Sequence, residues 1–189
     1  MLFGLFLLTI SLTESSSAIS FSLESCPIPE KPDEKFDIKK FDGVWYEIQR
    51  TLNLWEIGLL CARTNYTIEA NNKLRLETKG VRKGIRGNSV NVTSVAYANN
   101  SKQANILRIK VSDLVPENPA WIVETDFDRY ALMISCIDLL GLSRAHISWI
   151  MSREPTLDQT IIDRLRKRVD SLGFDSRALR AIDQSCHKK

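Results

Sequence analysis

Between residues 44 and 152 apolar and polar side chains alternate with a period of two, interrupted at short intervals by turn-forming residues. Successive side chains of a strand point to opposite faces, so this alternation predicts strands that bury one face. Eight are expected: Val44–Thr51, Cys61–Glu69, Leu74–Arg82, Ser89–Ala98, Asn105–Ser112, Ala120–Thr125, Arg129–Ile137 and Ala145–Ser152. The links "ANNK", "KGIRGN", "ANNSK", "PENP" and "DFD" are short and rich in Asn, Gly, Pro and Asp. Such links join antiparallel neighbours. Eight antiparallel strands in sequence order make an up-and-down β-barrel, whose closure leaves no open edge. One link differs. "LNLWEIGLL", Leu52–Leu60, is apolar where loops are polar, which predicts a segment folded over something.

Beyond Arg153 the period changes. In "EPTLDQTIIDRLRKRVDSLG" the residues Leu157, Ile161, Leu165, Val169 and Leu172 recur every three or four positions with charges between them. Pro155 and Thr156 precede the run and Gly173 follows it, which supplies a helix start and stop. The apolar stripe of this helix needs a surface, and the outside of the barrel is the large one available. The predicted fold class is therefore all-β, an eight-stranded antiparallel up-and-down β-barrel with one C-terminal α-helix packed outside. The tail "FDSRALRAIDQSC" returns to the barrel at Cys186.

The first stretch, "MLFGLFLLTISL", is apolar for about a dozen residues, short of the ~20 that span a bilayer. Small residues in "TESSSAIS" place a cleavage site after Ala18 or Ser20, so residues 1–20 read as a secretory signal peptide. Residues 21–42 are then an N-terminal arm closing the barrel base, residues 43–153 the barrel, and residues 154–189 the helix and tail. In an oxidising compartment Cys26, Cys61, Cys136 and Cys186 read as two disulfides, with three connectivities open. Their wide spacing and the lack of a C-x-x-C pair exclude a zinc site, and no metal is expected. Three N-x-[ST] sequons stand at Asn65, Asn91 and Asn99 and are expected to face water as glycosylation sites. The formal net charge of +3 is too small and too dispersed for a nucleic-acid partner. The densest basic run, Arg164–Arg168, reads as the solvated face of the helix.

Three local signatures now fall in order: "GVW" (Gly43–Trp45) opening the first strand, "TDF" (Thr125–Phe127) between the sixth and seventh, and Arg153 ending the eighth. This arrangement resembles the lipocalin family, and "GVWYEI", "NYT", "TDFDRYALMISC" and "SWIMSRE" strengthen the likeness. The turn reads TDF where the family commonly has TDY. The resemblance implies a closed barrel base built from Gly43, Trp45, Thr125, Asp126 and Arg153, with the guanidinium over the indole. It also implies the pairs Cys26–Cys136 and Cys61–Cys186, and it supports glycans at Asn65 and Asn99; Asn91 rests on the tripeptide alone.

What the resemblance implies about function is a secreted carrier that holds one small hydrophobic ligand (a lipid, sterol, fatty acid, retinoid or bilin) without reacting with it. Counting by twos from Arg153 turns Met151, Trp149 and Ile147 inward, and counting from Trp45 turns Glu47 and Gln49 inward. Tyr66 and Trp149 match pocket aromatics of the family. Val111 and Val115 are expected to complete the ligand-binding wall, with Trp55 at the mouth. Further partners that follow are a lipoprotein or membrane surface met weakly through the Leu52–Leu60 loop, and a cell-surface receptor. No cofactor and no catalytic residue is expected: His146 and His187 have no indicated acid–base partner. Two rival readings are a secreted interaction or signalling module with a filled barrel, and a lipocalin-type isomerase needing a free pocket thiol.

Overall fold

The computed structural model describes residues 21–22, 26–27, 36–53, 56–70, 73–82, 88–98, 104–114, 117–139 and 143–187. The leader, Trp55, Asn99 and Val115 lie outside the described residues. The strands are β1 (Phe21–Ser22), β2 (Gly43–Arg50), β3 (Leu59–Ile68), β4 (Lys73–Arg82), β5 (Ser89–Ala98), β6 (Ile106–Lys110), β7 (Asn118–Thr125), β8 (Tyr130–Leu139), β9 (Ser143–Ser152) and β10 (Arg180–Ala181). A single α-helix, α1 (Gln159–Ser171), follows β9. Strands β2 to β9 pair antiparallel in chain order, and β2 pairs with β9 to close the ring. The predicted barrel is the observed one, with strand ends shifted by at most two residues.

The two-residue strands β1 and β10 were not foreseen. Both extend the sheet where the barrel strands diverge: β1 adds to β9 at Arg144 and Ala145, and β10 to β2 at Gln49 and Arg50. At that height β3 is bulged between Leu60 and Arg63, and Cys61 takes a φ of 53°. The tail slots against both strands. Ile182 N donates to Ile48 O (3.0 Å), Cys61 N to Asp183 O (2.7 Å), and the Gln184 amide to Glu47 O (2.9 Å) and Ala62 O (2.8 Å). The Cys61–Cys186 disulfide holds this insertion, and Cys26–Cys136 ties the arm to β8. These are the two pairs the resemblance implied. They close loops of 125 and 110 residues, lengths at which the chain-entropy model gives stabilisation of up to ~5 kcal/mol each.

Two apolar clusters result. Inside the barrel Phe41, Trp45, Leu74, Leu107, Ala131 and Met151 pack together. Outside it Ile48, Trp121, Leu132, Ile134 and Ile150 meet Ile162, Leu165 and Val169 of α1 and Phe174 beyond it. Asp158 caps α1 by accepting from Thr160 N (2.7 Å). The sequence carries two overlapping stripes at helical spacing, and the buried one runs through Ile162 rather than Ile161, which is half-buried at its margin.

At the base Gly43, Trp45 and Arg153 come together. Gly43 has a φ of +95°, a conformation that favours glycine, and a Cβ there would stand 3.3 Å from Arg153 Nη1. Trp45 is fully buried, stacks on Phe41 with centroids 4.7 Å apart, and donates from Nε1 to Phe41 O (3.0 Å). The Arg153 guanidinium lies 3.9 Å from the indole centroid and donates to the carbonyls of Phe127 (3.0 Å), Val44 (3.1 Å) and Lys40 (2.9 Å). Thr125 and Asp126 shape the adjoining turn: Thr125 Oγ1 donates to Tyr130 O, and the Asp126 carboxylate accepts from the backbone of Arg129 and Tyr130.

Candidate ligand cavity

Above Trp45 the interior does not fill. A cavity of about 140 Å³ opens there, lined by apolar side chains from most strands, among them Leu76, Val92, Ile109, Met133 and Met151. Its floor is Tyr66, whose ring sits edge-on to Phe41 at 5.0 Å and whose hydroxyl points at Met151 Sδ at 3.9 Å. Burial pushes the Tyr66 phenol further up from its ordinary range, with the carboxylates of Glu47 and Glu56 adding to the shift, so it stays uncharged. A volume of this size is comparable to an engineered protein cavity of ~150 Å³ that takes benzene, and below the ~300–1,000 Å³ of pockets for drug-sized ligands. It is a slot for a slender molecule.

One wall is polar. Glu47 is the inward residue next along β2 from Trp45, and its Oε2 accepts from Arg50 Nη1 at 2.5 Å. Glu56 reaches the same guanidinium, 3.6 Å from Arg50 Nε, and its carboxylate also accepts from the Asn53 amide and from Trp149 Nε1 (3.2 Å). Asn53 Oδ1 accepts from Glu56 N (2.9 Å), which folds the β2–β3 loop onto the cavity. Burial, and then the second carboxylate of Glu56, raise the Glu47 pKa to about 8 against the pull of Arg50. Glu47 therefore carries a proton through most of the neutral range.

Of the residues singled out in the sequence, Glu47, Tyr66, Val111, Ile147, Trp149 and Met151 meet around this cavity. Gln49 does not. The pairing of β2 with β9 slips between Glu47 and Gln49, a bulge that inserts Ile48 and reverses the alternation. Gln49 consequently faces outward, where its Oε1 accepts from Arg166 of α1 (2.8 Å), and Arg50 turns in behind Glu47 instead. Trp55 and Val115 are outside the described residues.

Among the lining residues not foreseen from the sequence are Asn53, Glu56 and Leu59, and Arg50 behind them was not foreseen either. An acid stranded in the apolar "LNLWEIGLL" was the available signal for Glu56. At the open end of the barrel, opposite Trp45, the loop residues Ile57 and Leu114 are exposed. Asn65 and Asn91 lie on the strands β3 and β5, half-buried and exposed respectively. His146 packs at 4.7 Å from Phe174 between barrel and tail, remote from the cavity lining.

Comparison with known proteins agrees with this geometry. A family model described as a lipocalin-like domain matches residues 36–184. Apolipoprotein D of Mus musculus is 31% identical over 182 residues, covering 96% of this chain and 94% of that protein. The Lazarillo protein of Schistocerca americana is 24% identical over 156 residues, covering 79% and 71%. Among solved structures, lobster apocrustacyanin A1 superposes with a TM-score of 0.76 at 21% identity, covering 87% of this chain and 91% of that one. Insecticyanin of the tobacco hornworm Manduca sexta gives 0.72 at 21% identity, covering 88% and 89%. At such identities the structural likeness concerns the fold.

Proposed function

The chain belongs to the lipocalin family, and on that premise we propose that it is a secreted carrier that encloses one small hydrophobic molecule, non-covalently, inside its barrel. The observation that carries this reading is the cavity between Tyr66 and Trp149, apolar over most of its wall and sealed below by the Trp45–Arg153 stack. A filled barrel, the mark of a pure interaction module, would have side chains in that space. All four cysteines are engaged in the two disulfides, so an isomerase relying on a pocket thiolate finds no nucleophile. The disulfides fit an oxidising compartment, and the apolar leader supports export.

Burying ~200–300 Å² of apolar ligand surface supplies roughly 5–7 kcal/mol before the costs of orientation and ordering. Affinity on the order of micromolar follows. Native mass spectrometry of protein secreted from expressing cells, followed by solvent extraction, tests the proposal directly. A co-purifying small hydrophobe is the expected result. Protein that carries none, and whose tryptophan fluorescence no hydrophobe quenches, would sink it.

A further inference from the structure

We propose that the cavity selects a ligand whose polar end is uncharged, an alcohol or a carbonyl, and rejects the same apolar skeleton ending in a carboxylate. This rests on the carrier reading of the same cavity and adds to it the class of head group.

Among the described residues the ionisable acids lining the cavity are Glu47 and Glu56, and no Lys, Arg or His side chain lines it. Arg50, a cation beside the lining, stands behind the two carboxyls and is committed to the barrel wall. Nη1 donates to Glu47, Nη2 donates to the carbonyls of Glu56 (2.5 Å) and Leu59 (3.0 Å), and Nε faces the Glu56 carboxylate. With Glu47 protonated at neutral pH, a ligand carboxylate would enter as a second anion beside Glu56, around one guanidinium that has no fork left to offer it. Water is largely excluded there, so the repulsion is weakly screened.

A neutral head meets none of this. Glu56 is already held by Asn53, Arg50 and Trp149. Glu47, protonated at neutral pH, is able to donate to a carbonyl or accept from a hydroxyl. The remaining polar lining is uncharged: Thr64 and Thr78, whose hydroxyls bond each other at 2.8 Å, with Ser94, Asn118, Ser135 and the Tyr66 phenol.

The test is displacement of the neutral dye Nile red from the intact secreted protein by three ten-carbon probes that differ only at one end: decan-1-ol, decanoate and decylamine. Near neutral pH, decan-1-ol is expected to displace the dye at a concentration at least about tenfold lower than decanoate. Decanoate should close that gap as the pH falls toward about 5, where it takes up a proton, with little change for the alcohol. Glu56→Gln removes the charged acid of the pair and should narrow the alcohol-to-acid ratio about tenfold; Glu56→Ala serves the same purpose if that variant fails to fold. Decanoate binding as tightly as decan-1-ol in the wild type, or decylamine binding more tightly than both, overturns the inference and leaves the carrier reading standing. If neither Nile red nor any of the three probes binds, the carrier reading falls and takes this inference with it.

Discussion

At the base of the barrel a half-buried cation is matched by backbone dipoles, whereas halfway up the interior a buried guanidinium is shared by two acids beside open space. Arg153 answers to three carbonyls and one indole, and each partner is fixed by the chain around it. Arg50 answers to Glu47 and Glu56, whose mutual repulsion is relieved by holding a proton. The first arrangement stabilises a fold. The second costs stability and is tolerated where a polar contact with something outside the chain is useful. On the proposed carrier reading, the difference separates residues that make the barrel from residues that would choose what enters it.

The largest effect expected is at the base. Trp45→Ala deletes a fully buried indole stacked on Phe41 and roofed by Arg153, and should cost about 3–5 kcal/mol by chemical denaturation. A loss below about 1 kcal/mol would mean that the base is not what holds the barrel shut.

Next is the pH dependence of the polar wall. The folded pKa of Glu47, about 8, lies above its unfolded value, so between about 4.5 and 8 the native state keeps a proton that the unfolded chain has released. Stability then falls as pH rises through that window, by up to a few kcal/mol. His146 works in the opposite sense. Burial, reinforced by Arg144, holds its pKa at about 4, so stability drains as pH falls from about 6.5 toward 4. The two slopes oppose each other below 6.5, which leaves pH 6.5 to 8 as the interval governed by Glu47. A decline in unfolding free energy is expected there, abolished in Glu47→Gln; a rise across that interval in the wild type would contradict the assignment.

A smaller loss, about 2 kcal/mol, is expected for Arg153→Met, which keeps apolar cover over Trp45 but removes the donors to Lys40, Val44 and Phe127. Arg153→Lys should recover only part of it, because an ammonium has no planar fork to span three carbonyls. Full recovery would reduce the role of Arg153 to that of a point charge.

The base was legible in the sequence through its resemblance, and the polar wall only at Glu47 and Trp149, for a physical reason. Gly43, Trp45 and Arg153 were placed at the base by the family resemblance, and counting by twos from Trp45 and Arg153 then turned Glu47, Met151, Trp149 and Ile147 inward. Alternation fails wherever a bulge inserts a residue, and Ile48 does so between Glu47 and Gln49, which exchanges Gln49 for Arg50 as the inward side chain. Nothing in the local residues marks that slip, since "YEIQR" reads equally well without it. Asn53 and Glu56 lie on a loop, where no period applies and position depends on tertiary bonds such as Asn53 to Glu56 N. The tail insertion was equally hidden: two-residue strands such as β10 are too short for any pattern, and the backbone edge that accepts it exists only because β3 bulges.

The last contrast is between two tryptophans of one barrel. Trp149 is half-buried and makes its polar bond to Glu56, on the wall where the cavity opens, so truncating it enlarges a space that already exists rather than emptying a packed one. Trp149→Ala should therefore lower the unfolding free energy far less than Trp45→Ala, by about 1 kcal/mol, while weakening Nile red binding about tenfold through lost contact area. Releasing Glu56 from Nε1 should also widen the preference for the alcohol over the acid, because the freed carboxylate then faces the cavity with one donor fewer. Unchanged Nile red affinity in Trp149→Ala, measured beside a wild-type denaturation curve, would move the binding surface away from this wall. Equal destabilisation by both substitutions would erase the distinction between a base that holds the fold and a wall that meets the ligand.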